Sequence, residues 1–364
     1  MKKTLISIYI LTLLGCSKDD ILIPNKEKEV IGYKNKTTNS IRLDSKIWKW
    51  FGNENTSFYA DIDLDGDEDV FISNSESTPL INYNDGGKFT ETKLNDGYQI
   101  FPRSIIGNDF NGDGYIDFII LAHNDERLNP NPGEIPTLFI NERGKGFKVS
   151  KLNLKSSFWH LGSSADIDKD GDVDLLVCTA GSIGIMINDG MGNFKEASGM
   201  LPISYTNCNL IGGMLEDINK DGYIDLLVYG HEFNVLNNAP YPSKTKILWG
   251  NSSRKFTEEN SSDIKEDTNG YGIIIDALCV DLNDDGINEI ILSRTGDPIN
   301  SSFYKGYKIQ ILNGVNDVTD KFIMNNTSNS ESAIMWLKIM DVNGDYKKDI
   351  VEGVRRRVKF FLQK

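Results

Sequence analysis

Six nine-residue windows of this chain read Asp-x-(Asp/Asn)-x-Asp-Gly-x-x-(Asp/Glu), the sixth with Tyr346 where the others have Gly. They begin at Asp61, Asp109, Asp166, Asp217, Asp281 and Asp341, with successive starts 48, 57, 51, 64 and 60 residues apart. A pattern returning at that spacing means one supersecondary unit stacked repeatedly, because a lone unit cannot bury its own apolar face. One acidic turn could arise by chance; six in register with the same flanking segments do not.

The residue types point to a hard cation. Ca²⁺ takes six to eight oxygens at about 2.3–2.6 Å in flexible geometry. Positions 1, 3 and 5 offer short carboxylate or amide oxygens, Gly at position 6 permits a sharp turn, position 7 offers its backbone carbonyl, and position 9 closes the shell. The expected ligands are Asp61, Asp63, Asp65, Asp67 and Asp69; Asp109, Asn111, Asp113, Tyr115 and Asp117; Asp166, Asp168, Asp170, Asp172 and Asp174. The later copies offer Asp217, Asn219, Asp221, Tyr223 and Asp225; Asp281, Asn283, Asp285, Ile287 and Glu289; Asp341, Asn343, Asp345, Lys347 and Asp349. Mg²⁺ demands stricter octahedral geometry, and zinc prefers His or Cys. The windows hold 24 of the 53 acidic residues in a chain of formal charge −14, so up to six structural Ca²⁺ ions would bring it close to neutral. The sixth loop, lacking its Gly, is expected to bind weakest.

These are not helix-flanked EF-hand loops. Position 12 is Ile72, Ile120, Val177, Val228, Leu292 and Glu352, where an EF-hand needs a carboxylate. The segments after the loops (VFIS, FIILA, LLVC, LLVYG, IILS, IVEGV) are apolar on both faces and β-rich, as buried strands are. An apolar segment precedes each loop. Hairpin signals follow at 80–89, 138–147, 185–194 and 247–256, and then come KFTETKL, GFKVSKL, NFKEAS and KFTEEN as fourth strands. Four antiparallel strands in such a period make a propeller blade.

With its loops, strands and Asn-Asp-Gly-x-Gly-x-Phe-like hairpins, the chain resembles the FG-GAP/VCBS repeat family, best known from integrin α-subunits, over residues 39–364. The resemblance implies an all-β propeller with Ca²⁺ in the loop between the first two strands of each blade. Six motifs predict six four-stranded blades; seven is the alternative, since several family members have seven. The sixth repeat stops after its third strand, so Ser40-Ile41-Arg42-Leu43 is expected to supply the outer strand and close the ring.

All six loops then share one face. Long connections at 123–137, 231–245 and 294–306 share the other, with Arg103, His123, Trp159, His160, His231, Tyr271, Arg294 and Trp336 as candidate ligand-binding residues. The competing reading is that the aromatics pack between blades and the histidines end strands. No nucleophile–base pair, Gly-x-Ser-x-Gly elbow, P-loop or His-Glu-x-x-His motif stands out, so we expect no enzyme.

The N-terminus reads as an address. Residues 1–15 have a basic start and an apolar stretch too short to span a bilayer. Leu13-Leu14-Gly15-Cys16 resembles the lipobox of bacterial lipoproteins, which implies lipidation of Cys16 and a membrane anchor. Ser17-Lys18-Asp19-Asp20 is similar to export tags of surface-displayed lipoproteins, implying an outer-membrane lipoprotein facing outward. Residues 16–38, polar and lysine-rich, are expected as a lipidated Cys and flexible tether. Cys178, Cys208 and Cys279 lie in apolar runs and read as buried thiols. So acidic a chain is no nucleic-acid binder. The sum is a surface-anchored, calcium-stabilised binding module for a glycan or protein. An accessory subunit of a surface complex, or a polysaccharide-degrading enzyme, are the alternatives.

Overall fold

A computed structural model describes residues 33–37, 56–125, 127–232, 244–265, 270–296, 305–321, 327–333, 335–340, 347–354 and 357–363. The signal peptide, Cys16, most of the tether, Ser40–Leu43 and the first six residues of the sixth loop lie outside them.

The chain is an all-β propeller of four-stranded antiparallel blades. The strands after the acidic loops set the pattern. Asp69–Ile72, Asp117–Ala122, Asp225–Gly230 and Glu289–Thr295 are buried at every residue, and Asp174–Thr179 at all but its last. Apolar on both faces, each can only lie between neighbours. Each pairs on one edge with the strand entering its loop and on the other with the strand that opens the hairpin.

The first blade is Ser57–Ala60, Asp69–Ile72, Leu80–Asp85 and Lys88–Lys93, in that order from axis to rim. The second is Pro102–Asn108, Asp117–Ala122, Thr137–Asn141 and Phe147–Lys151; the third is Trp159–Ala165, Asp174–Thr179, Ile183–Asn188 and Phe194–Glu196. The fourth is Leu210–Glu216, Asp225–Gly230, Lys246–Leu248 and Ser261–Asp263. The fifth is Ile273–Val280, Glu289–Thr295, Lys305–Asn313 and Asn316–Asp317, with Thr327–Ser332 also on its third strand. A further sheet joins Trp336–Met340, Asp349–Val354 and Arg357–Gln363 to Tyr33–Thr37.

Two expectations shift. The strand paired with the C-terminal strand is Tyr33–Thr37, inside the segment read as tether and upstream of Ser40–Leu43. In the fourth blade the outer strand is Ser261–Asp263, not KFTEEN. The reason is Phe256, which turns inward to 3% exposure between the third and fourth blades. Residues 250–260 therefore loop around it, closed by Trp249 N–H donating to the Asn260 carbonyl at 2.8 Å.

Apolar cores lie between successive sheets. Phe71, Phe118 and Phe139 fill the first junction, Leu121, Leu175 and Val177 the second, Leu176, Leu226 and Val228 the third. Leu227, Ile290 and Leu292 fill the fourth, and Ile291, Leu337 and Ile350 join the fifth blade to the further sheet. The innermost strands crowd together, and Gly162 shows how tightly: a Cβ there would meet the Leu176 carbonyl oxygen at 2.5 Å. Residues of the innermost strands line an axial cavity of about 400 Å³.

Four innermost strands break register near their starts, at Pro102/Ser104, Trp159/Gly162, Leu210/Gly212 and Ile274/Asp276. Each is a β-bulge on the face opposite the acidic loops, which re-aims the inserted side chain.

Candidate functional site

The five loops described from end to end fold alike. In four of them position 1 accepts from two backbone N–H groups ahead of it, and Asp166 from Gly171 N alone. Asp61 takes Asp65 N and Gly66 N, both at 3.0 Å. Asp109, Asp217 and Asp281 do the same at 2.7–3.1 Å. Position 5 accepts from position 7 in all five, at 2.9–3.1 Å. Two left-handed residues make the turn. Gly at position 6 has φ of 85–97° and position 4 has φ of 55–71°. Only the first was legible, because position 4 is Leu64, Gly112, Lys169, Lys220 and Asp284, with no common side chain.

Position 9 is the clamp. Asp69, Asp117, Asp174 and Asp225 are fully buried and Glu289 is 3% exposed. One oxygen accepts the position-2 N–H at 2.9–3.0 Å in every loop. In four blades the other accepts a hairpin N–H, from Asn84, Asn141, Asn188 or Gly250. Burial, working against those donors, pushes Asp69 and Asp225 up to about 6 and Asp117, Asp174 and Glu289 up to about 7. A buried carboxylate held this high is one that a cation in the loop would stabilise in its charged form.

The residues fit Ca²⁺. Oxygens of Asp61, Asp63 and Asp65 lie within 4.8 Å of one another, as do those of Asp166, Asp168 and Asp174. Asp63 Oδ1 in the first cluster and Asp166 Oδ1 in the second are buried with no hydrogen-bond partner, which is costly unless something positive sits beside each. In the sixth loop Lys347 is exposed and Asp349 fully buried at the head of its strand; Asp341, Asn343 and Asp345 lie outside the described residues.

The hairpin asparagines, which sequence reading missed, tie blades together. Asn141 Nδ2 donates to the Ile62 carbonyl of the preceding loop at 2.9 Å, and Asn188 Nδ2 donates to the Phe110 carbonyl at 2.8 Å. Their recurrence before the hairpin turn (INYN, FIN, MIN) was the available signal. Lysines link loops as well: Lys169 Nζ stands 3.6 Å over the Tyr223 ring, and Lys348 donates to the Asp281 carbonyl at 2.7 Å.

On the opposite face the eight candidates divide. Arg294 is fully buried and ion-paired with Glu232 at 2.7 Å, and it also donates to Gln310 and the Tyr271 carbonyl. Trp159 is 6% exposed in the second junction, donating Nε1–H to the Glu134 carbonyl. Trp336 is 8% exposed, its ring against Gly353. Trp159 thus packs between blades, Arg294 is spent on an internal ion pair, and Trp336 also borders the axial cavity. His123 is fully buried and stacked on Phe158 at 4.1 Å, with Phe101 on its other side at 5.9 Å. Arg103 and His160 occupy the bulges of the second and third blades, and all three histidines of the chain gather there. Burial, with Arg103 and the other two histidines nearby, holds His160 well below the ordinary imidazole pKa; burial lowers His231 too.

Cys178 and Cys208 are buried free thiols in one cluster, and Cys279 is a half-buried free thiol. Among the described residues no helix is long and apolar enough to cross a membrane.

The fold and its repeated loops define a β-propeller carrying FG-GAP-like repeats. The model of that repeat matches residues 61–120 and 166–228, so both stretches carry FG-GAP-like repeats. A T-cell immunomodulatory protein homolog of Plasmodium falciparum is 27% identical over 152 residues, which is 37% of this chain and 20% of that protein. An Agrocybe aegerita lectin that recognises terminal N-acetylglucosamine superposes with TM-score 0.46 at 15% identity, covering 72% of this chain and 64% of the lectin. An auxiliary nutrient binding protein of Bacteroides ovatus superposes with TM-score 0.49 at 10% identity, covering 86% and 70%.

Proposed function

We propose that this chain is a calcium-stabilised binding module, tethered through a lipidated Cys16 to the outer membrane of a bacterium and displayed at the cell surface. Its ligand, a glycan or protein, is taken on the face opposite the acidic loops. One observation carries the reading: five loops fold into the same hydrogen-bonded turn, and in two of them carboxylate oxygens cluster within 4.8 Å with one buried oxygen left unpartnered. Calcium would neutralise charge there and fix the tips of the blades. At extracellular affinities of about 10⁻⁴–10⁻³ M, a tenfold saturated site adds roughly 1.4 kcal/mol. Six sites would add about 8 kcal/mol, comparable to the net stability of a domain. The loops are therefore explained without catalysis.

The sheet containing Trp336–Met340 is, in this reading, a sixth blade that closes the ring with Tyr33–Thr37 outermost. Two observations support it. Lys338 Nζ donates to the Ser57 carbonyl on the first blade at 3.4 Å. Residues from all six innermost strands line one cavity.

A glycan array probed with the purified protein in millimolar calcium tests the module. Reproducible retention on a family of related glycans supports it. Turnover of a bound polysaccharide would replace it with an enzyme.

A further inference from the structure

The innermost strands repeat, but the side chains in their bulges do not. The equivalent bulge holds Arg103 in the second blade and His160 with Leu161 in the third; in the fourth and fifth it holds Ile211 and Ile275. Ile211 and Ile275 are buried. Arg103 is half-buried, lines the axial cavity, and has no hydrogen bond or ion pair among the described residues. The chain carries a formal charge of −14, yet none of the described carboxylates pairs with this guanidinium. Leaving a half-buried arginine without an acceptor is unfavourable, and its planar fork is shaped for a carboxylate.

The cavity is polarised along its axis. At the loop end Glu68 and Glu216 line it, each next to the first or last residue of a loop strand. Asp276, directly after the fifth-blade bulge, and Lys338 also line it and offset one another. Toward the opposite mouth stands Arg103, and Phe58, Tyr229 and Trp336 give the same cavity an aromatic lining. An anion is repelled from the acidic end and held at the basic one. A volume of about 400 Å³ suits one or two sugar rings.

We propose that the mouth of the axial cavity is a binding site for a carboxylate-bearing sugar, with Arg103 gripping the carboxylate and the aromatic lining meeting the apolar face of the ring. The site rests on the binding-module reading and gives it a place and a ligand class. Aromatic lining beside a single unpaired cation favours an acidic sugar over an acidic peptide, whose several charges would need several partners.

The test is calorimetric titration of the full chain, in calcium, with galacturonate, glucuronate and N-acetylneuraminate, each beside its neutral parent sugar, and with a di-aspartate peptide. At least one acidic sugar is expected to bind tenfold or more tightly than its neutral parent. Arg103→Ala should abolish that preference and Arg103→Lys should keep part of it, while Lys195→Ala, on the loop-face hairpin, leaves it intact. A circular dichroism melt accompanies each variant, so that a misfolded Arg103→Ala leaves Arg103→Lys to decide. Failure of every acidic sugar to bind, or equal binding of peptide and sugar, overturns the proposal. Neutral sugars bound unchanged by Arg103→Ala overturn it too, yet leave the binding-module reading standing.

Discussion

The two faces of this propeller anchor their polar groups in opposite ways. On the loop face each buried carboxylate is gripped by backbone N–H groups, two for every ninth-position Asp described with its hairpin. On the other face the buried charge is held by side chains, Arg294 against Glu232 with Gln310 behind. Backbone donors exist in every blade whatever the sequence, so the loop face can repeat. Side-chain partners must be supplied one at a time, so the opposite face cannot. The repeating face suits a uniform ion and the irregular face a particular ligand.

Three substitutions sharpen the contrast. The largest effect belongs to Arg294→Ala. It leaves Glu232, only 7% exposed, without its cation, and should cost about 3–5 kcal/mol in denaturant unfolding while leaving calcium affinity unchanged. A loss below about 1 kcal/mol would mean the opposite face is not held by that pair. Asn188→Ala comes next. It strips the Phe110 carbonyl and Gly192 N–H of partners and should cost about 1–3 kcal/mol. Because it unties the third blade from the second loop, it should also weaken calcium binding there; unfolding midpoints measured with and without calcium separate the two effects.

The smallest effect concerns pH. Burial raises Asp276 to about 6, despite donors from Leu337 N and Ala277 N and the charge of Lys338. A folded-state pKa above the unfolded one means the folded chain holds the extra proton. That stabilising contribution is complete below about pH 4 and fades as pH rises through 6. Asp276→Asn should therefore flatten the decline in melting temperature between those values. An unaltered slope would place that decline on other groups.

Much of this was legible beforehand, for a physical reason. A loop that turns through a left-handed Gly between regularly spaced carboxylates leaves few sequences free, and a strand buried on both faces must be apolar throughout. The nine-residue windows and the strands after them could be read on those grounds alone. The outer strand of the fourth blade could not, because its place depends on where Phe256 finds room between two blades. Tyr33–Thr37 is no more apolar than the lysine-rich segment around it, and its pairing with Arg357–Gln363 spans nearly the whole chain. The opposite face was least legible. Arg294 and Trp159 carry chemistry suited to a ligand, and only three-dimensional packing shows that they spend it on neighbours. Arg103 looks no different in sequence, and the bulge is what sets it apart.

The central claim, that the acidic loops hold Ca²⁺ and that Ca²⁺ holds the blades, is tested most directly by calorimetric melting of one preparation in millimolar calcium, in excess chelator, and in chelator with magnesium restored. The melting temperature should fall by many degrees on chelation, recover fully with calcium and recover little with magnesium. Superimposable melting curves in all three solutions would contradict it.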